Sequence, residues 1–317
     1  MGKKYLVFVA GLLLAGGGKN LFGVYERPVS APFISGDDFR ACCKFILDED
    51  TPIRNHKKFK VSRIYFDPAD VRDGDAIFVH LALLDLFFSQ YHPKIKARYI
   101  LVSNNYVFSA PGEFKKFLED DTLFAWFTQN CDYIHPKVIP VPLGLSNKHW
   151  RHSRNHTELL RECQENLRKK QVQKKYLFYV NIVVRTAPRV RQPVFDFFKD
   201  KAFCTLASHK PYREFYSDTM ESKFVLSPHG GGLDCHRTWE TLYLGSYPVV
   251  KTSTLDPLYD DLPVVIVRDW NEVTPEFLEK KYEEFSHKTF RWEKLYMDYW
   301  AALIKQYQQR AKDYPQK

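Results

Sequence analysis

The chain has 317 residues, 44% of them hydrophobic and 27% charged, a balance that buries a sizeable core and excludes a wholly disordered polypeptide. Forty-seven Lys and Arg against 38 Asp and Glu leave a net charge of +9, which suits an anionic partner: a nucleic acid, a membrane surface or a phosphorylated small molecule. No nucleic-acid-binding motif accompanies the charge, so the first of these is set aside.

In chain order, Lys3 and Lys4 precede an apolar run over residues 5–15 and a triple glycine at 16–18. Residues 1–22 therefore read as a signal peptide or short membrane anchor, which would place the protein in the secretory pathway or at a membrane. The run is shorter than the roughly 20 residues of a full span. The alternative is a buried first strand with the glycines as its turn, in a cytoplasmic protein. Asn155-His156-Thr157 is a glycosylation sequon that matters only in a secretory lumen.

Short apolar runs at residues 63–66, 76–81, 99–103, 124–128 and 138–142 alternate with amphipathic stretches at 83–90 and 112–120. Continuous apolar strands between helices predict a parallel sheet covered on both faces, a Rossmann-like domain over residues 23–155. Residues 156–175, with Arg161, Arg168, Lys169, Lys170, Lys174 and Lys175, read as a charged helical linker.

The alternation resumes over residues 176–275, with strands at 176–183, 202–206, 223–227, 247–251 and 264–267 and helices at 192–199, 212–220 and 237–244. Residues 276–317 are predicted to be C-terminal helices whose aromatic residues, such as Phe285, Phe290, Tyr296 and Trp300, pack into a core. The fold class is thus α/β: two Rossmann-like domains with a helical tail, and ligands expected at strand C-termini and in the cleft between the domains. Six cysteines lack paired metal-ligand spacing and read as free thiols.

One stretch carries more chemistry than the rest. A buried strand over residues 223–227 ends at Pro228 and gives way to His229, Gly230, Gly231 and Gly232, where the backbone can take positive φ and approach a ligand closely. A helix follows, with Arg237 in its first turn and Glu240 one turn on, and it stops at Gly245 before the strand Tyr247-Pro248-Val249-Val250-Lys251. Free amides at a helix N-terminus favour a phosphate, and an arginine there can fork onto phosphate oxygens. Glu240, on the same face, suits ribose hydroxyls; its alternative is an i,i+3 ion pair with Arg237.

The run from Ser222 through Gly232, Arg237-x-x-Glu240, and Gly245-x-x-Pro248-Val249-Val250 resembles the donor-binding half of exostosin-like glycosyltransferases. Residues 78–88 and 138–145 look like the same group, so the resemblance covers about residues 60–270. It implies a GT-B arrangement with the nucleotide sugar, mostly UDP-linked, held by the second domain and a glycan or glycoconjugate acceptor by the first. It also implies inversion and no essential metal, a divalent cation being optional and no other cofactor needed. The expected donor-binding residues are Arg185, Arg191, Ser227, His229, Gly230, Gly231, Arg237, Glu240 and Lys251, with Arg185 and Arg191 near the diphosphate or else solvated. Gly232 departs from loops of this group that carry another residue, and no role is assigned to it.

An inverting transfer needs a base for the acceptor hydroxyl. Asp85, in apolar company with Leu84, Leu86, Phe87 and Phe88, is the first candidate, against the alternative of an acid facing solvent or an ion pair. His80, Asn104 and Glu113 are further acceptor-side candidates. A lipase-type hydrolase lacks its Gly-x-Ser-x-Gly elbow, and no P-loop or Gly-x-Gly-x-x-Gly fingerprint is present. His229, Asp234, Cys235 and His236 do not have metal-ligand spacing. A catalytically inert nucleotide- or sugar-binding protein on the same fold is the alternative function.

Overall fold

The computed structural model describes residues 33–50, 62–64, 66–148, 155–169, 172–208 and 210–315. The predicted leader at residues 1–22 lies outside them. Among the described residues no helix is long and apolar enough to cross a membrane.

Eleven strands form two sheets among the described residues. The first contains β1 (Phe45–Asp50), β2 (Ser62–Ile64), β3 (Asp75–His80), β4 (Tyr99–Asn104), β5 (Leu123–Thr128) and β6 (Val138–Pro140), in the order β2-β1-β3-β4-β5-β6. The second contains β7 (Tyr176–Val180), β8 (Cys204–Leu206), β9 (Ser222–Leu226), β10 (Tyr247–Lys251) and β11 (Val265–Val267), in the order β11-β10-β9-β7-β8. All pairings are parallel except β1 with β2, so the first sheet carries an antiparallel edge that the apolar pattern did not announce.

The parallel strands are apolar because both faces are covered. Ala76, Ile77, Phe78 and Val79 on β3, and Ile100, Leu101 and Val102 on β4, are fully buried. Each large side chain so removed from water is worth about 1.5–3 kcal/mol. β1 escapes sequence reading because three apolar residues run straight into Asp48, Glu49 and Asp50.

Two helices differ from expectation in ways that shape the site. The one predicted at residues 192–199 begins a turn earlier, spanning Pro188–Phe198 with Pro188 in its first turn, which draws Arg191 into the helix. The stretch 83–90 is a chain of short turns in place of one amphipathic helix. The last helix, Met297–Asp313, leaves the second half and packs on the first sheet. Trp300 lies 6.3 Å from Phe39 and Tyr307 lies 5.2 Å from Phe127, ring to ring, while Gln308 Nε2 donates to the Gly74 carbonyl. Phe285, Phe290, Tyr296 and Trp300 are all buried.

Candidate functional site

The second sheet fixes where a ligand can enter. From β7 the chain moves to β8 at one edge, then returns to β9 and grows toward β11 on the other side. The loops after β7 and β9 therefore part at a topological switch point, the usual crevice of an open parallel sheet. The loop after β9 contains the three glycines, and the loop after β7 leads into the helix Pro188–Phe198.

The glycine loop is held from behind by Arg191. This side chain is only 7% exposed. Its Nε donates to the His229 carbonyl at 3.2 Å, while Nη1 donates to the Val183 carbonyl at 3.1 Å and to Thr186 Oγ1 at 2.7 Å. A Cβ on Gly230 would lie 2.9 Å from Arg191 Nη2, and one on Gly232 would collide with the Asn130 carboxamide from the first half. The glycines are needed for these close approaches. None of the three has positive φ, contrary to the expectation from sequence. Arg191 is thus neither a solvated arginine nor a free cation; most of its donors are spent on fixing the loop.

Beyond the loop stands the helix His236–Tyr243. Cys235 occupies its N-cap with no side-chain capping bond, so the first-turn amides are not satisfied by a capping side chain. Gly245, at φ 68°, ends the helix in a conformation that disfavours a Cβ. Loop, helix start and the turn after β7 enclose a cavity of about 400 Å3, lined among others by Asn181, Lys210, Tyr212, Phe215, Arg237 and Glu240.

The cations of this cavity are not equivalent. Arg191 is committed to the loop, and Lys210 is paired with Asp218 at 2.6 Å. Arg237 lies with its guanidinium 5.9 Å from the Phe215 ring centre, and its Nε is buried without a hydrogen-bond partner. No ion pair joins it to Glu240 or to any other described residue, so the i,i+3 pairing does not form. Glu240 is 5% exposed and accepts one hydrogen bond, from Tyr216 Oη at 3.2 Å. Burial pushes its carboxyl up to about 7, although the Arg237 charge pulls the other way.

A second cavity of about 300 Å3 adjoins the first, and both are lined by Val107, Leu143, Gly232, Asp234 and His236. Its other walls come mainly from the loops after β4, β5 and β6. Asp234 fastens the two halves here. Its carboxylate accepts from the Leu143 amide at 2.8 Å, Trp239 Nε1 at 2.7 Å, the Cys235 amide at 2.8 Å and Tyr259 Oη at 3.5 Å. Burial nevertheless raises it to about 6. His236 reaches across the same boundary, with Nδ1 2.8 Å from the Gly144 carbonyl. A carbonyl only accepts, so Nδ1 carries the proton and in the neutral ring the lone pair is on Nε2.

The remaining expected residues divide. Ser227, His229 and Lys251 line a separate small cavity of about 130 Å3. Arg185 is exposed and lines another cavity, with Phe195 and Leu206. His80 and Asn104 are buried and sit side by side at the ends of β3 and β4; Asn104 Nδ2 has no partner. Asp85 and Glu113 are exposed and line neither of the two adjoining cavities. The apolar neighbours of Asp85 point inward while its own position on the short turn points out, which corrects its reading as an enclosed acid. Among the described residues no cluster of three His, Cys, Asp or Glu could hold a metal ion.

Asp234, His236, Lys210, Tyr212, Phe215 and Tyr216 were not singled out for these positions from sequence. Asp234 and His236 carry a visible signal, two polar residues where the glycine loop passes into the helix, but their spacing speaks only to metal ligation, which it does not fit.

No protein-family model and no curated protein sequence matches the chain. Among solved structures it is similar to a UDP-GlcNAc 2-epimerase from Methanocaldococcus jannaschii, at 13% identity over 68% of this chain and 71% of that one, with a TM-score of 0.33. It is similar also to a GtfA/B complex, at 11% identity over 76% and 59% of the two chains and a TM-score of 0.38. The catalytic domain of starch synthase IV from Arabidopsis thaliana bound to ADP and acarbose gives 12% identity, 75% and 73% coverage and a TM-score of 0.33. The chain thus spans 59% of the GtfA/B chain. Scores and identities are low, so the roles of the cleft residues rest on their own geometry.

Proposed function

We propose that the protein is a glycosyltransferase of the GT-B, exostosin-like kind, moving a sugar from a UDP-linked donor to a glycan or glycoconjugate hydroxyl. The observation that carries this reading is the buried, partnerless Nε of Arg237 beside the nearly unpartnered carboxylate of Glu240, in one cavity at an uncapped helix start. Diphosphate oxygens would take the Arg237 donors and the first-turn amides, and ribose hydroxyls would donate to Glu240. UDP is the carrier that the motif resemblance implies.

In the transfer, the bond from the sugar C1 to the phosphate oxygen breaks and its electron pair leaves on the nucleotide. Arg237 and the helix dipole stabilise that charge in place of an obligatory metal. The acceptor oxygen attacks C1 and its proton passes to His236 Nε2, which replaces Asp85 as the base in this reading. His236 lines both cavities, and the Gly144 carbonyl fixes its tautomer. One base and one displacement give inversion.

The test is a thermal-shift screen of purified full-length protein with UDP, GDP and ADP, followed by release of UDP from UDP-sugars. Stabilisation by UDP with slow donor hydrolysis is the expected result. Stabilisation without any hydrolysis or transfer would leave an inert binding protein, and no response to any nucleotide would remove the donor site.

A further inference from the structure

We propose that the 300 Å3 cavity beside the donor site is an acceptor subsite that takes an uncharged sugar ring and rejects acidic ones, an inference that rests on the donor reading above. The protein as a whole is basic, yet among the described residues that line this cavity there is no lysine or arginine. Its polar lining is dominated by four carboxamides: Asn105, Gln129, Asn130 and Asn147.

A carboxamide presents a donor and an acceptor at one tip, which matches a sugar hydroxyl that does both. A uronate or sulfate would have to shed its water here with no lysine or arginine of the described lining to receive it, and beside the buried Asp234 carboxylate. An ammonium group would gain little from Asp234, whose oxygens already accept four hydrogen bonds.

The carboxamides are held in place by one another and by the backbone. Asn147 Nδ2 donates to Asn105 Oδ1 at 2.9 Å, and Gln129 Oε1 accepts the Asn105 amide at 3.1 Å. Gln129 Nε2 donates to the Tyr106 carbonyl at 2.8 Å, and Asn130 Oδ1 accepts the Asp234 amide at 2.9 Å. Asn105 sits at φ 75°, a conformation that Asn and Asp tolerate better than other side chains with a Cβ. Its Nδ2 finds no acceptor among the described residues, which leaves one oriented donor for a ligand. Gly36 permits this arrangement, because a Cβ there would collide with Asn105 Oδ1. At the rim, Tyr106 is 42% and Val107 51% exposed, an apolar edge suited to the C–H face of a pyranose.

The experiment is saturation-transfer NMR on the full chain, with and without UDP, against methyl glycosides of three classes. These are neutral hexosides and pentosides, methyl glucuronide, and methyl glucosaminide with a free amine. At least one neutral glycoside should bind, with the glucuronide at least tenfold weaker. Asn105→Asp, which keeps the backbone conformation, should weaken the neutral ligand by about tenfold and leave UDP affinity unchanged.

Tighter or equal binding of the glucuronide would overturn the inference, as would UDP binding with no neutral glycoside bound. Neutral binding that Asn105→Asp does not alter would overturn it too. Binding of a neutral glycoside, sensitive to Asn105→Asp but without any response to UDP, would sink the donor reading and keep the sugar site.

Discussion

Glu240 is a carboxylate held near its tipping point by burial, with one hydrogen bond and no ion pair to stabilise its charge. Its folded pKa of about 7 stands above the ordinary 4.5, so the folded chain holds the proton more tightly than the unfolded one. The stability linked to this group is therefore fully present below the unfolded value and lost as pH rises through about 7. Glu240→Gln removes that dependence. Its melting temperature should match the parent near pH 4 and exceed it at pH 8, by the equivalent of up to about 3 kcal/mol. The same variant should lose about tenfold in UDP affinity at pH 8, where the parent offers a charge-assisted acceptor to ribose. Since ribose hydroxyls bind the ionised form, parent affinity should fall relative to the variant's between pH 8 and pH 6. Calorimetric titration at both pH values checks this, and identical pH dependence would take Glu240 out of the nucleotide site. Arg237→Ala should cost more, 10- to 100-fold in UDP affinity, because it deletes the cation whose buried Nε has no hydrogen-bond partner within the protein. Asp85→Asn, by contrast, should leave transfer unchanged within about twofold, since that carboxylate is exposed and away from both cavities.

At the level of elements, the sequence showed most of what periodicity can show. β10 was read with its observed ends, and the helix His236–Tyr243 within a residue, because a strand–glycine–helix–strand unit is punctuated locally by proline and glycine. What escaped was whatever depends on contacts across the cleft. Gly232 carries no role in the sequence pattern because its reason is a carboxamide far back in the chain, Asn130, packed where a Cβ would lie. Arg191, expected near the diphosphate or else solvated, does line the main cavity, but the early start of its helix turns most of its donors onto the loop carbonyls. Asp85 sits among apolar neighbours in sequence, yet they turn into the core while it stays exposed. The two halves meet through Gly232, so Gly232→Ala should force the loop and Asn130 apart. A loss of about 1–3 kcal/mol in urea unfolding is expected, with UDP-sugar turnover reduced more than UDP binding. Unchanged turnover would show that loop and carboxamide shift independently of the reaction.

At the scale of the whole molecule, Asp234 couples the two sheets. It lies in the loop that leads from β9 to the helix His236–Tyr243, yet its strongest partners include the Leu143 amide after β6 and the Trp239 indole one turn into that helix. The C-terminal helix Met297–Asp313 reinforces the same union from outside by packing on the first sheet, so neither half is closed without the other. Asp234→Asn tests whether this single carboxylate sets the relation between the halves. Asparagine keeps the size but offers one accepting oxygen and an NH2 group, so one of the two pairs of donors would face another donor. A buried donor left unsatisfied costs about 1–3 kcal/mol, and Oδ2 alone receives two of the short bonds. The amide can rotate to keep its oxygen on the Leu143 and Trp239 donors; the Tyr259 hydroxyl can then turn to accept from Nδ2, and the Cys235 amide is left unsatisfied. The expected loss is therefore about 1–3 kcal/mol in urea unfolding. If the carboxylate also sets how His236 meets Gly144, turnover with saturating acceptor should fall about tenfold while UDP affinity, which depends on Arg237 and Glu240, stays within twofold. A variant that loses stability but keeps full turnover would make Asp234 a fastening between the halves with no part in placing the base.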